Sequence, residues 1–91
     1  MVIDIKEPDQ VLSLAGDLAQ YANNVLQVTE DLNASSTQIS NAWASDTIDK
    51  DSYLKELNAN ITKLITLTEA LSKLSNTLTV YASKQIKNTS E

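Results

Sequence analysis

Ninety-one residues make one domain at most, and a chain of this size leaves a large share of its surface in water unless another polypeptide covers it. The formal charge is −5 and all seven cations are Lys; without the Arg forks that grip phosphates and guanine edges, composition argues against nucleic acid as a partner. There is no Cys and no His, so disulfides, thiolate metal sites, an imidazole base and a Ser-His-Asp arrangement are excluded, and the absence of Arg removes the usual bidentate grip on carboxylate or phosphate substrates. The expectation is a protein that is not an enzyme and holds no cofactor or metal.

Aromatic residues are 4% of the chain, with one Gly and one Pro. A mixture so poor in strand-forming residues reads as all-α. The opening MVIDIKEPDQ has no basic start and no long apolar stretch, so no secretory signal is expected, and no window approaches the ~18 apolar residues of a membrane span. Residues 1–7 read as a short extended arm whose Val2, Ile3 and Ile5 can lie against a helix.

Pro8 marks the first helical position, because its fixed φ and missing N–H suit it, and Glu7 and Asp9 place negative charge at the positive end of the helix dipole. From there Val11, Leu18, Val25, Leu32 and Ile39 recur every seven residues, with Leu14, Tyr21 and Val28 at the offset three further on. That spacing predicts a heptad seam along a helix over about 8–42. Leu12, Ala15, Ala19, Ala22 and Leu26 widen the apolar face beyond a narrow two-stranded seam. Gly16 falls inside this helix, where it allows close approach of a neighbour or is a tolerated glycine, and Ser35, Ser36 and Thr37 read as a wet stretch late in it.

Periodicity lapses from Trp43 to Ser52, where Asp46, Asp49 and Asp51 cluster, so the chain is expected to reverse over about 43–51 with Asp49 or Asp51 as the cap of a second helix. Those three carboxylates invite a cation, but the loop has no Gly at its turn and no Glu at the twelfth position, and capping is the better reading. Trp43, the only Trp, reads as an apolar plug at the end of the hairpin core.

The second helix, over about 52–87, carries Leu57, Leu64, Leu71 and Leu78 at seven-residue spacing, and Leu67, Leu74 and Tyr81 likewise, broadened by Leu54, Ile61 and Ile65. Lys84 and Lys87 suit its negative dipole end, and residues from Asn88 onward are expected to fray. Residues 1–51 hold nine acids and two lysines, residues 52–91 three acids and five lysines, so the arms carry opposite charge and favour lying side by side. Both apolar faces span about half the helix circumference, more than one antiparallel pairing covers. The fold expected for the single domain 1–91 is therefore an antiparallel two-helix hairpin that pairs into a four-helix bundle as a homodimer or heterodimer.

An opening like Ile5-Lys6-Glu7-Pro8-Asp9, a heptad helix, a turn begun by a single Trp, and a second heptad helix with a late Tyr together resemble the WXG100 or ESAT-6-like proteins over nearly the whole chain. The resemblance implies a helical hairpin that pairs with another WXG-like protein or with the helical N-terminal domain of a larger LXG-type toxin. It also implies export from Gram-positive bacteria or mycobacteria by type VII secretion, without a signal peptide, from a cytoplasmic pool. In that family a Trp-X-Gly turn and a C-terminal Tyr-X-X-X-acid element form a recognition signal for the secretion ATPase. Here the first element would be Trp43, Ala44 and Ser45 and the second would run from Tyr81 to Gln85; Ser45 stands where the family has Gly, and Gln85 where it has an acid, which points to an adaptor whose partner supplies the acidic part. The alternative is a structural coiled-coil dimerisation module with no role in secretion. Insertion into a membrane is not expected of an acidic chain without Lys-rich amphipathic faces.

Overall fold

The computed structural model describes residues 5–43 and 48–90, with side chains through residue 85. The chain is two helices packed along their length, α1 (Pro8–Ala42) and α2 (Ile48–Ser90). The molecule measures 68 × 21 × 13 Å, and its radius of gyration of 20.0 Å compares with about 12 Å for a compact domain of this length. It is a rod, with α2 running nearly its full length.

Pro8 is the first residue of α1, where no N–H is required of it, and the Glu7 carbonyl accepts the Val11 N–H at 3.1 Å to close the first turn. At the other end the Trp43 N–H donates to the Ile39 carbonyl at 3.0 Å, and Trp43 itself is extended (φ −85, ψ 108), so the chain leaves the helix there. The last turn of α1 has no basic residue. Lys50 of α2 supplies that charge instead, its Nζ donating to the Trp43 carbonyl at 3.4 Å while the side chain is buried.

The second helix starts earlier than its periodicity suggests. Asp49 and Asp51 lie within the first turn of α2 and are not its cap; there they face the positive end of the helix dipole, which is why the helix tolerates them. The helix also continues through Asn88 to Ser90, where fraying was expected. Of the expected arm, Ile5 is half-buried, while Val2 and Ile3 lie outside the described residues.

The seam between the helices corrects the offset read from the sequence. The covered positions that continue one stripe are Val11, Ala15, Leu18, Ala22, Val25, Thr29, Leu32, Ser36 and Ile39 on α1, and Leu54, Leu57, Ile61, Leu64, Thr68, Leu71, Ser75, Leu78 and Ala82 on α2. The steps alternate three and four, so both helices present an a/d seam. Leu14, Tyr21 and Val28 are not in it, and neither are Leu67, Leu74 and Tyr81. Smaller side chains one position later occupy those places: Ala15, Ala22 and Thr29 on α1, and Thr68, Ser75 and Ala82 on α2. Helices joined by a short turn approach closely when small residues meet along the seam, and the larger residues beside them are displaced outward.

One hydrogen bond fixes the register. The buried Ser75 Oγ donates to the Ala15 carbonyl at 2.7 Å, linking positions sixty residues apart. Thr29 and Thr68 satisfy their hydroxyls on carbonyls of their own helices, Val25 at 2.7 Å and Leu64 at 2.9 Å, so these polar residues enter the seam without stranding a donor.

Candidate functional site: an uncovered helix face and an aromatic turn

The buried hydrophobic side chains among the described residues are Ala15, Ala22, Ile61 and Ala82, and no large side chain is fully buried. Three alanines and one isoleucine are a small core for a rod this long. The leucines, valines and isoleucines of the seam are mostly half-buried, and six further large side chains lie outside it: Leu14, Tyr21, Val28, Leu67, Leu74 and Tyr81 are each between 42% and 54% exposed.

Helix geometry brings these six together. Each precedes a seam residue of the a type by one position, the place called g in a heptad, and it lies about 70° around the helix from the middle of the seam. In an antiparallel pair the g positions of both helices line the same side. The two stripes therefore form one apolar face on one side of the hairpin. Residues at the e positions line the opposite side, where Leu26 and Ile65 are also exposed beside the polar Asn33, Asn58, Ser72 and Thr79.

The apolar face is not uniform along the rod. With Ser75 level with Ala15, its six large residues lie almost centred on the rod, interleaved from Tyr81 and Leu14 to Leu67 and Val28. Ser35 and Asn60 then interrupt it with polar groups. Beyond them lies a second, separate apolar feature at the turn, where the Trp43 and Tyr53 rings sit 6.3 Å apart at 44°, within the range of a tilted aromatic pair. Trp43 is 37% exposed and Ile48 beside it 85% exposed. Trp43 is thus a partly covered cap resting on Tyr53; the periodicity marked Trp43 but gave no reason to single out Tyr53.

Of the residues expected to carry an export signal, Ala44 and Ser45 lie outside the described residues. Tyr81 is exposed on the apolar face and not in the seam, and Gln85 is half-buried on the seam side. Trp43 and Tyr81 stand near opposite ends of the rod, about 50 Å apart along α2. One chain by itself therefore cannot bring the two elements together.

A shallow open groove of about 260 Å³ beside Asn76, Thr77, Val80 and Tyr81 presents no ionisable group other than the Tyr81 phenol. Among the described residues no group of three or more Asp, Glu, His or Cys gathers to hold a metal ion; Asp46 lies outside them. No helix of the described residues is long and apolar enough to cross a membrane. Gly16 is open on its outer side, with nothing within 4 Å of an added Cβ, so it is a tolerated glycine and not a point of close approach. No protein-family model, curated protein or solved structure matches the chain.

Proposed function

We propose that this chain is a helix-pairing protein of the WXG100-like kind, serving a bacterial type VII secretion system either as an exported substrate or as the helical partner that helps export a larger effector. It acts by covering and being covered, not by catalysis. The observation that carries this reading is the apolar face built from Leu14, Tyr21, Val28, Leu67, Leu74 and Tyr81 on a rod whose buried core is mostly alanine. A chain that leaves six further large side chains outside its own seam is suited to covering them with another polypeptide, and a four-helix bundle is the usual form of that covering. The Trp at the turn and the Pro-led first helix add the family likeness, and export without a signal peptide follows from it.

Within this reading the packing residues are Val11, Leu18, Val25, Leu32, Ile39, Leu57, Ile61, Leu64, Leu71 and Leu78 in the hairpin seam, and Leu14, Tyr21, Val28, Leu67 and Leu74 of the face toward the partner. Trp43 with the turn, and Tyr81 with Gln85, are the elements presented to the secretion ATPase. The test is export from a host with a working type VII system. Trp43→Ala, and separately removal of residues 81–91, should reduce the exported fraction to background while the cytoplasmic pool persists; unchanged export of both would overturn the secretion role. The substitution of Gln85 for the family's acid favours a second reading, a dimerisation module without export, which predicts that the wild-type chain stays in the cell.

A further inference from the structure

We propose that Lys50 and Tyr53 are positioning residues: one turn of α2 holds both the backbone and the ring of Trp43 in a single orientation, so that the indole is preorganised for the protein that reads the turn. That assignment rests on the reading of Trp43 as a recognition element, and adds the two residues that set its geometry.

Trp43 is tied at three points. Its N–H donates to the Ile39 carbonyl at 3.0 Å, which joins it to the last turn of α1. Its carbonyl, one of those that a helix end leaves without an intrahelical donor, accepts from the Lys50 Nζ at 3.4 Å. Its ring meets that of Tyr53, with centroids 6.3 Å apart and planes at 44°. A residue that ends a helix in an extended conformation, φ −85 and ψ 108, would by itself keep a soft ψ and several side-chain rotamers. Bonds on both sides of its Cα remove the first freedom, and the Tyr53 ring removes the second.

The seam repeat places Lys50 for this task. It stands four residues before Leu54 and seven before Leu57, so it continues the covered stripe of α2 toward the turn. Periodicity calls for an apolar side chain there, yet the residue is a lysine, 7% exposed, with its ammonium at the end of α1. Burying that charge costs free energy that a Leu or Met at the same place would not incur. A lysine at a seam position therefore points to a role for its donor, and the atom it reaches is the Trp43 carbonyl.

Tyr53 lies three residues beyond Lys50, on the same side of α2. Trp43 and Tyr53 are 37% and 46% exposed, so each ring shelters part of the other and leaves an outer edge in water. A large ring already held in one orientation loses less entropy when a partner closes on it.

The single Trp makes the test direct, because fluorescence excited where Trp alone absorbs reports on Trp43 and nothing else. Lys50→Met keeps the stem and removes the donor, and Tyr53→Ala removes the ring. In the purified full chain each should lower the fluorescence anisotropy and raise acrylamide quenching, by up to about 2.5-fold as Trp43 moves from 37% exposed towards full exposure. Lys50→Arg and Tyr53→Phe should restore the wild-type values, and circular dichroism checks that all four variants are helical. In the type VII host the two disruptive variants should lose part of the export that Trp43→Ala abolishes, and the two conservative ones should keep it. Unchanged anisotropy and quenching in the disruptive variants would overturn the positioning role, as would a failure of the conservative variants to restore them. Altered fluorescence with wild-type export would overturn the link to recognition. Absence of export from the wild-type chain would overturn the proposed function, while the fluorescence would still decide whether Lys50 and Tyr53 hold Trp43.

Discussion

Ser75 and Gly16 show how unevenly single residues matter in this hairpin. The Ser75 hydroxyl is buried and bonded to the Ala15 carbonyl across the seam. Ser75→Ala removes the donor and leaves that carbonyl with its own helical partner, so urea denaturation should show a loss of about 1 kcal/mol. Gly16 is exposed with open space where a Cβ would stand, and its backbone is helical without a positive φ. Gly16→Ala should therefore raise stability by up to about 1 kcal/mol in the same measurement. Lys50 belongs to the same scale: a buried side chain whose ammonium reaches the last carbonyl region of α1 replaces the basic residue that α1 lacks.

Between the helices, the unit that decides packing is the alternation of small seam residues with large neighbours one position earlier. Ala22 and Tyr21 are adjacent in sequence, yet one is buried and the other half-exposed. Ala22→Leu should force the seam apart and cost about 1 to 3 kcal/mol, seen as a lower melting temperature. Tyr21→Asp should leave the seam untouched and instead weaken association, moving the light-scattering mass towards that of the monomer at concentrations where the wild type is assembled. If the two substitutions had the same effect on mass and melting, the division between an inner seam and an outer face would be wrong.

For the whole molecule, stability and assembly should be one property. If the proposed partner covers the apolar face, the hairpin gains stability by binding, so its melting temperature should rise with the concentration of that partner. A melting temperature independent of concentration over a hundredfold range would contradict the proposed coupling.

Two long helices and an all-α fold were legible in the sequence, because heptad spacing, one Pro and the lack of strand formers each act locally. Pro8 and the leucines at seven-residue intervals carry that information without reference to any other part of the chain. The apolar faces were legible too, as stripes wider than one partner covers. Which stripe turns inward was not. Hydrophobicity ranked Leu14, Tyr21 and Val28 above Ala15, Ala22 and Thr29, but closeness between the helices favours small side chains, and only the packed pair reveals that the smaller residues win the seam. The same packing set the register through Ser75 and Ala15, brought Tyr53 under Trp43, and carried Lys50 to the end of α1. These depend on contacts between residues far apart in the chain, which a one-dimensional pattern does not specify.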